Sequence, residues 1–129
     1  MKGLILLVDD ELINRDIVSA YVRRYGCGCV TASSGAEALT LAASQRFALV
    51  LMDIRMPGMT GFEATRRIRA TPGPNQHALM LAFTVNASPE KHEACLAAGL
   101  DGVVVKPLSF DAMAAILETW SLPGHGPVA

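Results

Sequence analysis

The sequence LILLVDDE, at residues 4–11, decides the fold of this chain. Its apolar run is only five residues long, and two aspartates, Asp9 and Asp10, end it. A short continuous apolar run of this kind is typical of a strand that is buried on both faces of a parallel sheet. A second such run, FALVLM at residues 47–52, is also followed by an acid, Asp53. The two runs predict two strands whose carboxyl ends carry carboxylates.

Helical patterns separate these strands from further apolar runs. Three more strands are predicted at residues 29–32, 78–83 and 103–105. Apolar residues at helical spacing predict a first helix over residues 12–25, which Gly26 ends. Three serines are predicted to cap later helices: Ser34, Ser88 and Ser109. The helix predicted over residues 62–70 carries three arginines that we expect to form a solvated face: Arg66, Arg67 and Arg69.

Strand and helix patterns alternate five times, which predicts an α/β fold with a parallel sheet and helices on both of its faces. Right-handed crossovers leave few topologies for such a chain. A single unit of 129 residues fits the flavodoxin-like (βα)5 three-layer sandwich, with a five-stranded sheet of order 2-1-3-4-5. We expect one domain over residues 1–121. Residues 122–129 contain two prolines and two glycines, so we expect a flexible tail or the start of a linker.

Composition and charge exclude several classes of protein. With 51% hydrophobic and 18% charged residues, the chain is not of the disordered class. The net charge of -1 lacks the basic surplus that non-specific binding to DNA or to an anionic membrane needs, so we expect neither partner. No apolar stretch approaches the roughly 20 residues of a membrane span, and no signal-peptide pattern is present. We therefore expect a cytoplasmic domain that is a monomer or a weak dimer.

Reactive side chains follow four of the five predicted strands. They are Asp9 and Asp10 after the first strand, Asp53 after the third, Thr84 after the fourth and Lys106 after the fifth. The carboxyl ends of parallel strands meet at one edge of the sheet, and ligands bind there near the point where the strand order reverses. In the order 2-1-3-4-5 the first and third strands are neighbours at that point. The three carboxylates are therefore expected to converge.

Three crowded carboxylates repel one another, so they need a proton or a cation. A site made of oxygen ligands favours Mg²⁺, which keeps several waters and leaves room for a phosphoryl oxygen. We expect Asp9 and Asp10 to hold the ion and Asp53 to be the nucleophile, because a carboxylate can attack phosphorus to form an acyl phosphate. Phosphoryl transfer also needs its charge neutralised. Lys106 and Thr84 are candidates for that role.

Four motifs at these positions resemble the receiver domain of two-component response regulators. They are LVDDE at residues 7–11, LMDIRMPGMTG at 51–61, FTVNA at 83–87 and VKP at 105–107. The resemblance covers about residues 3 to 120. It implies that Asp53 is the phosphoacceptor and that the donor is a phosphohistidine on a sensor histidine kinase or a histidine phosphotransfer domain.

The same resemblance implies roles for the other site residues. Asp10, Asp53 and the main-chain carbonyl of Arg55 would bind Mg²⁺, and Asp9 would assist. Thr84 and Lys106 would contact the phosphoryl group, and the Lys106–Pro107 peptide bond would be cis. The segments Asn14-Arg15 and Arg55-Met56-Pro57 look most like those of receivers attached to hybrid sensor histidine kinases. A stand-alone response regulator remains an alternative parent.

Two positions depart from the family pattern. Val85 stands where the family has a small residue, so its branched side chain is expected to narrow access to the site. Val103 stands where many members have an aromatic ring that rotates on activation. Switching is therefore expected to use a shift of the loop from Thr84 into the helix after Ser88, driven by binding of Thr84 to the phosphoryl group. A further hypothesis is that the Arg55 side chain pairs with the phosphoryl group and slows attack by water.

Two other functions compete with the phosphorylated switch, which is not a conventional turnover enzyme. The first is a receiver-like docking module that is never phosphorylated; the complete set of acids, threonine and lysine argues against it. The second is a phosphatase of the haloacid dehalogenase type. Such enzymes carry a general-acid aspartate two residues after the nucleophile, and that position is Arg55 here.

Overall fold

The computed structural model describes residues 3–120, so the tail expected over residues 122–129 lies outside the described residues. Ten elements alternate along the chain: β1 Leu4–Val8, α1 Leu12–Tyr25, β2 Gly28–Ala32, α2 Gly35–Ser44, β3 Leu49–Asp53, α3 Gly61–Ala70, β4 Leu79–Thr84, α4 Pro89–Ala98, β5 Gly102–Val105 and α5 Phe110–Thr119. Across this part of the chain, no helix combines the length and the apolar character needed to span a membrane.

The five strands form one parallel sheet of order β2-β1-β3-β4-β5, as predicted. Two apolar clusters cover its two faces. One cluster is closed by α2, α3 and α4 through residues such as Ala38, Ala64 and Cys95. The other is closed by α1 and α5 through Val22 and Met113. The chain is therefore a three-layer sandwich, and its helices leave the carboxyl edge of the sheet open.

Burial differs between the central and the edge strands. Every residue of β3 is buried, and β1 and β4 are buried except at their first residues. In β2 only Ala32 is fully buried, and in β5 only Val104 is. β2 and β5 are less buried because they are the edge strands, and each has a neighbouring strand on one side only.

The helix ends follow local sequence signals. Gly26 and Gly99 adopt φ values of 107° and 109°, in the left-handed region that favours glycine, and they end α1 and α4. The hydroxyls of all three predicted capping serines accept an amide hydrogen bond from the third residue beyond. A fourth cap was not predicted: Thr60 accepts from the amide of Glu63, so α3 begins at Gly61.

The start of β3 depends on a residue far away in the sequence. The strand begins at Leu49, two residues later than predicted, because the amide of Phe47 donates to Oδ1 of Asn75 instead of to a neighbouring strand. The Nδ2 group of Asn75 donates to the carbonyls of Ala42 and Gln45. This buried side chain therefore satisfies three main-chain groups around the end of α2.

Arg69 does not belong to a solvated helix face, so that part of the prediction is wrong. Its guanidinium donates to the carbonyls of Gly99, Gln76 and Ala78 and pairs with Asp101 at 3.1 Å. The Oδ2 atom of Asp101 also accepts the amide of Met80 at 2.9 Å. Arg69 thereby links the end of α3 to the starts of β4 and β5, at the edge of the sheet opposite the aspartates.

Candidate functional site

The three predicted carboxylates converge at the carboxyl edge of the sheet. The register of β1 with β3 pairs Val8 with Met52, which places the residues that follow, Asp9 and Asp53, next to each other. Asp9, Asp10 and Asp53 each offer a carboxylate oxygen, and these oxygens all lie within 4.8 Å of one another. Asp9 and Asp53 are buried, whereas Asp10 is exposed. The expected acidic cluster is therefore present, with one of its members open to solvent.

Asp9 is held from several directions. Its amide donates to the carbonyl of Ala32 at 3.0 Å, which continues the β1–β2 ladder by one residue. Its Oδ1 atom accepts the amide of Glu11 at 2.9 Å. Its carbonyl oxygen accepts from Nη1 of Arg15 at 2.8 Å. Asp9 is therefore a fixed, fully buried charge behind the more accessible Asp10 and Asp53.

Lys106 supplies the opposite charge. Its Nζ atom lies 3.1 Å from Oδ2 of Asp9 and 3.3 Å from Oδ2 of Asp53. The amide of Lys106 donates to the carbonyl of Thr84 at 2.7 Å, and the Lys106–Pro107 bond is cis, as the family resemblance implied. Burial lowers the pKa of Lys106, but the two carboxylates outweigh it and hold that pKa above its ordinary value. The ammonium is therefore charged wherever the protein is folded at neutral pH.

Asp53 ends β3 in a buried position. Burial is the main cause that raises the pKa of Asp53 from 3.8 to about 6, and the charge of Asp9 acts in the same direction. The amide of Arg55, which donates to Oδ1 of Asp53 at 3.1 Å, and the ammonium of Lys106 oppose this shift. The Asp53 carboxylate is therefore weakly solvated and more basic than an exposed aspartate.

Thr84 lies at the end of β4, in the same edge of the sheet. Its side chain is buried, and its Oγ1 atom donates to the carbonyl of Asn86 at 3.2 Å. The amide of Asn86 lies 3.3 Å from the same oxygen. The hydroxyl is thus bonded within its own loop and makes no hydrogen bond to Asp53 or Lys106 in this structure. If Thr84 donated to a phosphoryl group, its hydroxyl would give up the bond to the Asn86 carbonyl.

An open cleft of about 210 Å³ lies over these groups. Its lining residues are Asp10, Glu11, Asp53, Arg55, Thr84, Val85 and Lys106. Val85 and Arg55 are both exposed there, Val85 by 66%. A larger groove of about 560 Å³ lies between the ends of α2 and α3, but its lining includes no carboxylate. The cleft of about 210 Å³ is therefore the place where carboxylates, a hydroxyl and an ammonium meet.

The acidic cluster fits a hard divalent cation such as Mg²⁺. Its donors are oxygens, and no His or Cys belongs to the group. The Oδ2 atom of Asp9 is buried and lies at ion-pair distance from Lys106, but it accepts no hydrogen bond. This oxygen can therefore still accept a bond from a ligand. The carboxylate of Asp10 faces solvent at the cleft. Together these carboxylates give an ion both a fixed anchor and an accessible ligand.

A family model described as the response regulator receiver domain matches residues 5–118. The chain belongs to the response regulator receiver family. Along the sequence, this receiver is 35% identical over 121 residues to the sensor histidine kinase RcsC of Salmonella typhi. That match covers 92% of the chain but only 12% of the kinase. The receiver therefore spans about an eighth of this relative's length.

Solved structures show the same fold. The chemotaxis protein CheY4 of Vibrio cholerae superposes with a TM-score of 0.87 at 33% identity, over 92% of this receiver and 98% of that chain. The receiver domain of sensor histidine kinase PA1611 from Pseudomonas aeruginosa gives 0.84 at 33% identity, over 93% and 98% of the two chains. The PA1611 structure holds a magnesium ion coordinated in its active-site cleft.

Some residues that build the site of this receiver escaped the prediction. The amides of Glu11 and Arg55 hold the two buried aspartates, although only the Arg55 carbonyl and side chain had been given roles. Gly61 packs closely on the β3–α3 loop, residues 54–60: an added Cβ would meet the carbonyl of Asp53 and lie 2.7 Å from Cα of Ile54. The glycine-rich loop before α3 was a signal for such a close approach.

Proposed function

We propose that this receiver domain accepts a phosphoryl group from a phosphohistidine onto Asp53, with Mg²⁺ bound in the acidic cluster, and switches conformation as a result. The observation that carries the proposal is the position of Lys106. Its ammonium lies at ion-pair distance from both Asp9 and Asp53, beside a cleft open to a phosphodonor. A lysine that served only as a solvated surface charge would be far more exposed than the 12% of the Lys106 side chain.

The transfer follows from the geometry of Asp53. One of its oxygens bonds to phosphorus while the bond from phosphorus to the donor imidazole breaks, which leaves an acyl phosphate on the protein. Burial makes the Asp53 oxygen more basic, and the Arg55 amide orients the carboxylate through Oδ1. The Oδ2 atom lies beside Lys106, so the ammonium is already in place for the charge that arrives.

Asp9, Asp10, Asp53 and the main-chain carbonyl of Arg55 are the proposed ligands for Mg²⁺. When bound, the ion neutralises the carboxylates and the incoming phosphoryl oxygens. Asp9 is fixed by three hydrogen bonds and acts as the rigid, supporting member of the set. Asp10 is exposed, so it remains accessible to the ion and its waters.

Switching is proposed to start at Thr84. Rotation of its hydroxyl toward a phosphoryl group would break its bond to the Asn86 carbonyl and release the loop that leads to the cap of α4 at Ser88. Within α4 only Cys95 and Ala98 are buried, both in its second half. The start of this helix is therefore free to shift while its end stays packed.

The partners and the parent protein are also part of this proposal. The relation to sensor histidine kinases supports a histidine kinase or a histidine phosphotransfer domain as donor, and a hybrid sensor kinase as parent. A stand-alone regulator such as the CheY4 type is the alternative parent. The domain would act in the cytoplasm, as a monomer or weak dimer, over residues 1–121, followed by a flexible tail or the start of a linker.

Incubation with acetyl phosphate and Mg²⁺ tests the proposal directly. Intact-mass measurement should show a gain of one phosphoryl group, which Asp53→Asn abolishes and chelation of the ion prevents. Asp111→Asn, which changes an exposed aspartate in the first turn of α5, is the matched control and should be modified normally. No gain in the wild-type protein would favour the docking module, and continuous release of phosphate from many monoesters would favour a phosphatase.

A further inference from the structure

The carboxylate of Asp10 is the least restrained part of the acidic cluster. The side chain is exposed, and within residues 3–120 its carboxylate accepts no hydrogen bond and forms no ion pair. Asp9, by contrast, is held through its amide, its Oδ1 atom and its carbonyl oxygen. Whatever directs Asp10 toward an ion must therefore act through the main chain.

The main chain at this point is held by Arg15. The carbonyl of Asp9 lies beyond the last residue of β1, and it accepts from Nη1 of Arg15 at 2.8 Å. That carbonyl and the amide of Asp10 belong to one planar peptide unit. The bond to the oxygen restrains the orientation of this plane, which includes Cα of Asp10, and so restrains where the Asp10 side chain begins.

Arg15 is itself well anchored. It lies in the first turns of α1, where its amide donates to the carbonyl of Glu11 at 3.1 Å. Its guanidinium also lies near α2, close enough for its charge to act on Glu37. The pKa of Glu37 is lowered mainly by hydrogen bonds from Ser33, and the charge of Arg15 acts in the same direction. The side chain therefore spans from α1 to the β1–α1 loop on a fixed base.

We propose that Arg15 is a positioning residue for Asp10, because its hydrogen bond to the Asp9 carbonyl orients the peptide unit that carries the Asp10 carboxylate. This inference rests on the proposed function, in which Asp10 is a ligand for Mg²⁺. It assigns no contact between Arg15 and the ion or the phosphoryl group. Arg15 acts through the main chain alone.

Charge and positioning make opposite predictions for the loss of this side chain. If Arg15 acted only as a positive charge near the carboxylates, its removal would make the cluster more negative and tighten Mg²⁺ binding. If it positions Asp10, its removal weakens binding, by about tenfold on the scale typical of residues that orient metal ligands. The sign of the change therefore separates the two roles.

The experiment is a Mg²⁺ titration of the full chain followed by backbone amide shifts in NMR spectra. Arg15→Ala should raise the Kd about tenfold. Arg15→Lys, which keeps the charge and a donor on a flexible stem, should give an intermediate Kd. Arg23→Ala is the matched control, because Arg23 lies in the same helix and donates to a strand carbonyl, that of Cys29, at 3.2 Å. It should bind Mg²⁺ as the wild type does.

A second measurement, the carbonyl carbon shift of Asp9, is made without Mg²⁺. In metal-free protein the carbonyl carbon shift of Asp9 should move in Arg15→Ala and stay in place in Arg23→Ala. A Kd that is unchanged or lower in Arg15→Ala overturns the inference. If Arg15→Ala does not fold, Arg15→Lys is the test. A change in the Asp9 carbonyl shift of that variant, together with a wild-type Kd for Mg²⁺, would also overturn the inference. If Mg²⁺ shifted no amides near Asp10 in the wild-type protein, the proposed function would be contradicted, and this inference would fail with it.

Discussion

The ammonium of Lys106 lies 3.3 Å from Oδ2 of Asp53, although the two residues come from strands that are not neighbours. Asp53 ends β3 and Lys106 follows β5, and β4 runs between them. The lysine stem crosses the end of β4, where its Nζ atom lies 4.9 Å from the centre of the Phe83 ring. This ion pair therefore forms only when all three strands have assembled.

Loss of Lys106 should destabilise the metal-free protein, and Mg²⁺ should restore part of the loss. Lys106→Met leaves Asp9 and Asp53 buried with no cation beside them, which is expected to lower the free energy of unfolding by about 2–4 kcal/mol. Because bound Mg²⁺ supplies positive charge to the folded state only, the deficit should shrink when the ion is added. Chemical denaturation with and without Mg²⁺ measures both effects.

The control for this prediction is Lys91→Met. Lys91 lies in α4 and, among the described residues, forms no ion pair, so its loss should change stability by less than about 0.5 kcal/mol with or without Mg²⁺. Equal behaviour of the two variants would show that the Lys106 ion pairs contribute nothing to stability.

Asp53→Asn should stabilise the metal-free protein above about pH 7. The folded-state pKa of Asp53, about 6, lies above its ordinary value of 3.8, so the ionised carboxylate opposes folding. This penalty is fully present above the folded pKa and disappears as the pH falls from about 6 toward 4. Asp53→Asn should therefore be more stable by about 1–3 kcal/mol at high pH, with a difference that shrinks over that range.

Thermal or urea unfolding in the presence of a chelator, measured at several pH values, checks this expectation. Asp16→Asn provides the comparison, because Asp16 is exposed on α1 away from the carboxylate cluster. A stability difference between wild type and Asp53→Asn that stays constant from pH 4 to pH 8 would contradict the raised pKa.

Gly61→Ala should distort the β3–α3 loop. The Cβ of an alanine would meet the carbonyl of Asp53 and lie 2.7 Å from Cα of Ile54, a distance that real Cβ atoms do not tolerate. Because both contacts are with backbone, the loop must move, which should lower stability by about 1–3 kcal/mol. Phosphorylation by acetyl phosphate should slow as well.

Gly73→Ala is the matched glycine control. Its Cβ would have no close neighbour, since the nearest atom, the carbonyl oxygen of Thr71, lies 4.0 Å away. We expect wild-type stability and a wild-type rate of phosphorylation for this variant. If Gly61→Ala matched Gly73→Ala in both measurements, the β3–α3 loop would not depend on the close approach at Gly61.

Asn75 should be important for stability but not for chemistry. Its buried side chain satisfies the amide of Phe47 and the carbonyls of Ala42 and Gln45. Asn75→Ala leaves these groups without a partner, so unfolding free energy should fall by about 2–4 kcal/mol. His77→Ala, an exposed neighbour in the same segment, should be neutral. Denaturant unfolding tests the loss, and unaltered phosphorylation of folded Asn75→Ala would confirm that the effect is structural.

Local patterns in the sequence predicted the strands and helices and the carboxylates that meet at one edge of the sheet. Short apolar runs, the capping serines and the terminal glycines depend on residues within one turn or one strand of each other, so local patterns predict them. Because strand ends in a parallel sheet share one edge, the convergence of Asp9, Asp10 and Asp53 also followed from the pattern. The structure confirms that convergence.

The side chains that hold this arrangement in place could be identified only from the folded chain. Asn75 bonds to groups about 30 residues away, and Arg69 reaches Gly99 and Asp101, so no local pattern distinguishes them from solvated loop or helix residues. The direction of the Thr84 hydroxyl and the bond from Arg15 to Asp9 likewise depend on how loops close at the sheet edge. Composition and periodicity report burial, whereas a hydrogen-bond partner is fixed by packing between distant segments.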